Sequence, residues 1–393
     1  METTSAELIK TRAGWKTLEE QLPDDFEALA TQHKVLEVQY GDAKITSASD
    51  LLHLLLLHIG ADLGLRQTVA LVAEGGGPEL SHVALHHKMR LSAPYLQALV
   101  GRLTTASAEA SPERWGGYEL CVVDGSSFCG PGAEGTDARI HLQLRLADLS
   151  LLSATIEDRS VGESFKRFPW RKGQLGLGDR GYANPPGIAS VVEQGADVLV
   201  RVNRSALPMY EPRGERVDLM AWLRALRGYT PRERPVVVRS REHGRDVHGR
   251  LIGFRLPEAE AEKARAWLRR EHGSHASAED LEAAHYVVLF TTVPVERMSA
   301  TMCLELYRLR WQVELTFKRW KSLCHFDRLP NRRDDTILTW LYGKLLLAVL
   351  LQRMATGASA LFPPASQEVS LVLDAVEDRQ PAVARHCRRA VAA

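Results

Sequence analysis

Hydrophobic positions change rhythm partway along this 393-residue chain. Over residues 1–107 they recur at helical spacing. The densest run, 51–59, is mostly leucine interrupted by His53 and His58, and Ser47 or Ser49 is placed to cap it. Further helices are predicted from Ser81 and from Ser92, the second with Pro94 in its first turn, where a missing N–H costs least. Their basic residues Lys88, Arg90 and Arg102 suit either a DNA-binding unit or a plain helical domain, and alone favour the plain one. A stretch rich in Ala, Ser, Glu, Pro and Gly, 107–117, closes the region.

Beyond it the period shortens. Residues 118–123 are apolar and stop at Asp124-Gly125; Ile140, Leu142, Leu144 and Leu146 alternate with His141, Gln143 and Arg145. Residues 151–156 and 173–178 form further runs, the second stopping at Asp179, and 196–202 follows a helix opened by Pro185-Pro186. This order predicts an α/β fold, a mixed sheet with helices on its faces. Residues 204–284, with strand-like 236–240 and 248–256 and a charged helix over 257–272, read as a β-rich inserted subdomain. Residues 286–292 return as a strand, a long helix runs from about 299 to 322, and 335–393 are helical with a break at Pro363-Pro364. The predicted division is 1–110, then 111–203 with 285–334 as the core, 204–284 as the insertion, and a C-terminal region 335–393.

Composition changes this picture little. A hydrophobic share of 45% supports a large core, and a net charge of +1 by itself argues weakly against a nucleic-acid partner. The distribution matters more. Residues 301–333 hold eight cations (Arg308, Arg310, Lys318, Arg319, Lys321, Arg328, Arg332, Arg333) against Glu305, Glu314 and Asp327. Residues 159–172 add Arg159, Lys166, Arg167, Arg171 and Lys172 around Phe168 and Trp170, evenly balanced between phosphate binding and ordinary surface. Cys121, Cys129, Cys303, Cys324 and Cys387 form no C-x-x-C pair, which suits reduced thiols, and His86-His87 has no second pair near it, which argues against a structural zinc site. No signal peptide and no membrane partner are expected: the leading residues METTSAELIK lack a basic and apolar sequence, and 51–59 falls far short of the roughly 20 residues that span a bilayer. A cytoplasmic protein is expected.

The most informative segment begins at Tyr307. On an ideal helix Tyr307, Arg310, Glu314, Lys318 and Lys321 fall within an arc of about 80°. The apolar stripe Leu306, Leu309, Val313, Phe317, Trp320 and Cys324 lies about a quarter-turn away. One face therefore packs, and its neighbour offers a carboxylate among cations. Arg310 presents a planar fork for phosphate oxygens, and Lys318 and Lys321 give compact charge. The same residues also suit a solvated face with Arg310–Glu314 and Glu314–Lys318 pairs. Support comes from Asp124 and Asp179, each ending a predicted strand and followed by turn-forming residues, Gly125-Ser126-Ser127 and Arg180-Gly181-Tyr182. Two acids from adjacent strands and one from a helix can cage two divalent ions with oxygen ligands, which would promote displacement at a phosphodiester.

These residues resemble the bacterial insertion-sequence DDE transposases of the insertion-sequence-four group. Tyr307, Arg310, Glu314 and Lys321 satisfy their Y-x2-R-x3-E-x6-K signature, Asp124-Gly125 matches the first aspartate, and Asp179-Arg180-Gly181-Tyr182 matches the second. The order and spacing fit, with 55 positions from Asp124 to Asp179 and 135 from Asp179 to Glu314. The resemblance implies an RNase H-like catalytic core carrying the β-rich insertion, flanked by helical regions, of which 1–110 binds DNA. It implies catalytic and metal-holding roles for Asp124, Asp179 and Glu314 with two Mg²⁺ or Mn²⁺ ions. It implies contacts of Tyr307, Arg310, Lys318, Lys321 and, in the segment LVRVN, Arg201 with DNA. The implied partners are transposon-end inverted-repeat DNA, target DNA and a second copy of the chain, with 335–393 as the candidate dimer surface; the implied location is a bacterial nucleoid. The chain departs from some relatives in having no tryptophan over 285–289, where Tyr286 reads as a core aromatic. The alternatives are a nuclease that cuts without joining and a catalytically silent DNA-binding derivative. A small-phosphoester hydrolase fits the helical flanks and basic helix poorly.

Overall fold

The computed structural model describes residues 9–37, 45–109, 114–128, 138–158, 160–242, 244–324, 329 and 334–357. The N-terminal helices are α1 (Arg12–Glu19), α2 (Phe26–Gln32), α3 (Ala48–Gly60), α4 (Leu65–Glu74), α5 (His82–Leu91) and α6 (Ala93–Glu109). Ser47 caps α3 by accepting from Asp50 N at 3.0 Å, and Ser81 caps α5. Leu51, Leu52, Leu54, Leu55, Leu56 and Leu57 are buried all round α3, as a helix without a polar face must be. Each contributes about 1.5–3 kcal/mol. The two histidines survive there because each donates to a carbonyl: His53 Nε2 to Ile9 O at 2.9 Å and His58 Nδ1 to Leu63 O at 2.6 Å.

The partner of α3 and α6 comes from the far end of the chain. Helix α13 (Asp334–Gly357) packs against both and also against α5. Its stretch Thr336–Met354 is long and apolar enough to cross a membrane by length and composition, but 67% of it is buried inside the fold. The candidate dimer surface thus divides: α13 is a core helix, and 358–393 lie outside the described residues.

The strands are β1 (Glu119–Phe128), β2 (Ala138–Arg145), β3 (Leu151–Asp158), β4 (Gln174–Gly178), β5 (Asp197–Arg201), β6 (Met209–Tyr210), β7 (Arg232–Ser240), β8 (Arg245–Arg255) and β9 (Tyr286–Thr291). They form one nine-stranded sheet in the order β3-β2-β1-β4-β5-β9-β8-β7-β6. β1, β4 and β5 run parallel to one another, and the remaining pairings are antiparallel. Helices α7 (Pro185–Glu193), α8 (Leu219–Ala225), α9 (Glu258–His272) and α10 (Ala278–Ala283) lie between strands.

Residue parity sorts the sheet into two faces. Leu120, Val122, Leu175, Leu177 and Leu199 join the core formed with the N-terminal helices and α13. Cys121, Val123, Val198 and Val200 join Phe165, Tyr182, Ile188 and Leu223 on the opposite face. Three expectations change. β1 does not stop at Asp124; pairing with β2 carries it to Phe128, opposite Ala138. The β-rich segment does not stand apart; β8 pairs with β9, so its strands lengthen the main sheet. The long helix is two: α11 (Ala300–Leu309) and α12 (Trp311–Cys324) meet at Arg310, where Arg310 N bonds Tyr307 O and Val313 N bonds Arg310 O. These three-residue steps tighten the turn and interrupt the ideal 100° progression.

Candidate active site

Three predicted site residues owe their placement to backbone register. The β1–β4 ladder ends at Val122 opposite Leu177, and the β4–β5 ladder at Gly178 opposite Val200. Continuing both by one or two residues sets Asp124 level with Asp179, and Asp179 level with Arg201. The row lies at the carboxyl ends of three parallel strands, where open α/β sheets hold ligands. By parity its side chains share the face of Val122, Leu177 and Leu199, and α12 packs against β1.

The two aspartates of the row take few hydrogen bonds among the described residues: Asp124 Oδ1 accepts from its neighbour Gly125 N at 2.9 Å, and Asp179 Oδ1 from Gly181 N at 2.8 Å. Burial drives the Asp124 carboxyl up to about 7; Arg310 opposes the rise, while Asp179 and Glu163 add to it. Arg310 is the cation between the strands and α12. Its guanidinium hydrogen-bonds Glu314 one turn on, lies 6.0 Å from the centroid of the Tyr307 ring, and acts on Asp124. Burial works against its charge, yet Tyr307 and Glu314 hold Arg310 above its usual range. The Tyr307 hydroxyl is raised by burial, with Arg201, Arg310 and Arg180 opposing.

Glu314 is held by Arg310, the cation that acts on Asp124, and 38% of its side chain is exposed. Among the described residues no three acidic, His or Cys side chains converge as a ready-made ligand set. The chemistry of the donors nevertheless suits a hard divalent cation: oxygen ligands only, partly buried and short of hydrogen-bond partners. Arg201 closes the row, its Nε buried and without a hydrogen-bond partner among the described residues. Lys318 is exposed on α12, and the Lys321 side chain lies outside the described residues, as do Arg328, Arg332 and Arg333.

Other expected contacts are taken up by the fold. Lys88 is buried and donates to Val35 O and Glu37 O, so its charge is unavailable to DNA. In the 159–172 stripe Phe165, Phe168 and Trp170 are core residues, Lys166 pairs with Glu242, and Arg171 donates to Ala108 O at 2.8 Å. Tyr286 is buried in β9, the core aromatic its sequence suggests. Cys121 and Cys303 are free and buried; Cys129, Cys387 and the side chain of Cys324 lie outside the described residues.

Comparison with known proteins ties this geometry to a lineage. Residues 116–351, spanning the whole row and both α11 and α12, match the family model described as a transposase DDE domain. The chain belongs to that family. This DDE transposase domain protein is 31% identical over 330 residues to the putative transposase InsL for insertion sequence element IS186A of Escherichia coli K12, covering 82% of this chain and 89% of the relative. It is equally similar, over 331 residues and the same shares, to the transposase for insertion sequence element IS421 of Escherichia coli. A shorter match, 32% over 108 residues, is to the transposase for IS231F of Bacillus thuringiensis subsp. israelensis, covering 26% of this chain and 22% of that one.

One acidic residue escaped the sequence reading of this DDE transposase. Glu163, between β3 and β4, reaches the acidic pair. A Cβ at Gly125 would lie 3.1 Å from Glu163 Oε1, and one at Gly181 only 1.8 Å from Oε2. Neither glycine adopts the left-handed conformation. Their task is room rather than turning, and the glycine following each aspartate was the available signal.

Proposed function

We propose that this chain is the transposase of an insertion sequence, cutting DNA at inverted-repeat ends and joining the freed 3′ ends to target DNA. One observation carries the reading: Asp124, Asp179 and Arg201 share a row at the ends of parallel strands, and against β1 packs α12, which bears Glu314 and follows directly on Tyr307 and Arg310 at the α11–α12 junction. The order β3-β2-β1-β4-β5, with its antiparallel and parallel halves, supports an RNase H-like core, lengthened here by the inserted strands.

Asp124, Asp179 and Glu314 would hold two Mg²⁺ or Mn²⁺ ions, which supply Lewis acidity and orientation at phosphorus. The chain's own groups do the rest. Arg310, Arg201, Tyr307, Lys318 and Lys321 would grip backbone phosphates and neutralise charge as it builds. For Glu314 to join the aspartates its pair with Arg310 must open. A DNA phosphate is the natural competitor for a guanidinium fork. DNA arrival thereby completes the acidic set. Water attacks phosphorus in line and frees a 3′-OH, which then attacks a second phosphodiester. One phosphodiester replaces another, so joining needs no ATP. Two ends must be brought together, which calls for a homodimer.

The test is cleavage and joining of a duplex carrying the element's own ends with Mg²⁺. Wild type is expected to cut and join, and Asp124→Asn and Glu314→Gln to bind the duplex without cutting. Undiminished cleavage by both variants refutes the reading. Cleavage without joining of pre-cut ends reduces the protein to a nuclease, and binding without cleavage by the wild type to a silent DNA-binding derivative.

A further inference from the structure

Glu163 is half-buried, and among the described residues its carboxylate has no hydrogen-bond or ion-pair partner. It belongs to no part of the three-acid set. An unpaired carboxylate in such a place is costly unless something cationic joins it. The backbone around it is shaped to admit it. By parity Gly125 points to the face opposite Asp124, and the missing side chains of Gly125 and Gly181 leave a gap through which Glu163 approaches the aspartates from behind. Glu163 Oε2 stands 1.8 Å, and Asp179 Oδ1 3.2 Å, from the same point beside Gly181, so the two oxygens are at most about 5 Å apart. A small side-chain rotation lets one cation bridge them.

A second observation points to a ligand there. Tyr182 is fully buried, its hydroxyl has no hydrogen-bond partner among the described residues, and the acidic groups that act on it are Glu163, Asp124 and Asp179. Burying a hydroxyl unsatisfied costs about 1–3 kcal/mol. A hydrated cation among those acids would supply the missing water contact. His141, paired in register with Gly125 and also fully buried, has no hydrogen-bond partner at either ring nitrogen among the described residues and lies on the same side. Of the two cations that act on Glu163, Arg139 is the stronger but makes no hydrogen bond to it among the described residues, and Arg310 spends its hydrogen bond on Glu314.

We propose that Glu163 is a fourth acidic residue of the site, and that with Asp179 and Asp124 it holds a divalent cation before DNA arrives, while Glu314 remains paired with Arg310. This rests on the metal-dependent reading of the site and extends it: the DNA-free protein is already loaded with one ion. Glu163 is then a positioning residue, since it orders the first ion rather than meeting the DNA.

Two measurements on the full-length, DNA-free chain test it. Carbodiimide labelling of the wild type, read by mass spectrometry, should show Mg²⁺ protecting Glu163 together with Asp179 and Asp124, and leaving Glu314 unchanged. In Mn²⁺ titrations followed by electron paramagnetic resonance, Glu163→Gln should weaken binding at least tenfold and Glu314→Gln less than threefold. Gly181→Ala, which keeps the carboxylate but crowds it out, should reproduce the Glu163→Gln loss. Protection of Asp179 with none at Glu163, or Mn²⁺ binding by Glu163→Gln within twofold of wild type, overturns the proposal and leaves the three-acid reading standing. A DNA-free wild type that binds no Mn²⁺ also overturns it. Binding that survives Asp124→Asn and Asp179→Asn removes both. The labelling arm needs no variant, so a misfolded substitution does not blunt the test.

Discussion

Asp124→Asn should make the metal-free protein more stable while abolishing cleavage. The carboxyl of Asp124 is raised from 3.8 to about 7, chiefly by burial, with Asp179 and Glu163 adding and Arg310 opposing. At about 1.4 kcal/mol per pH unit this corresponds to about 4 kcal/mol of penalty for keeping the charge. Asp124 retains some solvent contact, so roughly half, about 2 kcal/mol, is the gain expected. Asparagine keeps the oxygen that accepts from Gly125 N, so the substitution removes charge and little else. The sign follows from linkage. A raised carboxyl penalises the fold above pH 7 and less so as pH falls, because the folded state then binds the proton that the unfolded state does not take until about 4. In EDTA at pH 8 the variant should melt about 4 °C higher, and the gap should close between pH 7 and 4. Added Mn²⁺ should raise the wild-type melting temperature and leave the variant's unchanged. A variant that melts at or below wild type in EDTA at pH 8 refutes the argument that the site stores unfavourable charge.

Other expectations follow from single contacts. Arg310→Ala should weaken binding of end DNA at least tenfold in a gel-shift titration yet tighten Mn²⁺ binding without DNA, since Glu314 loses its partner; looser Mn²⁺ binding contradicts the gating role. His141, held neutral by burial and by Arg167 and Arg139, has its pKa lowered from 6.5 to about 4. A depressed histidine loses the fold stability as pH drops through 6.5 toward 4, by roughly 3 kcal/mol in all. His141→Leu should flatten that part of the wild-type urea-midpoint curve, and parallel curves refute it. Glu119→Ala should cost about 3 kcal/mol by urea denaturation, because it strands Arg145, whose Nε lies 2.9 Å from Glu119 Oε1 in a buried pair. Asp148 remains 3.1 Å from Arg145 Nη1 and limits the loss.

Much of this was legible in the order of residues. Alternation over 140–146 and the apolar runs ahead of Asp179 and Arg201 gave β2, β4 and β5; parallel strands buried on both faces read as unbroken apolar runs, whereas the alternation of β2 does not mark a solvent face, since His141, Gln143 and Arg145 are buried too. Helix caps at Ser81 and at Ser47 or Ser49 were read from local chemistry that acts within three residues, and of the latter two Ser47 is the cap. Three features were not legible because they depend on partners far away. β1 passes through Asp124 since β2 continues beside it, and Gly125 carries no mark of that. The inserted strands join the main sheet through β9, a pairing across more than thirty residues that periodicity cannot register. Glu163 stands in the polar segment Val161-Gly162-Glu163-Ser164, which reads as an ordinary loop. Its meaning lies in two glycines, 38 residues before it and 18 after, that read as turn formers. Short elements such as β6 and α10 leave too few residues for a period to show.

The burial of α13 against α3 and α6 sets an order on synthesis. The leucine helices leave the ribosome early, but the helix that covers them ends at residue 357, 248 positions after α6 ends at residue 109. At about 5–20 residues per second that is an interval of tens of seconds. During it the nascent chain displays an apolar surface fit for chaperones, and any fragment lacking the region from Asp334 onward displays it permanently. Such fragments should be found in inclusion bodies rather than as inhibitors of the full-length protein.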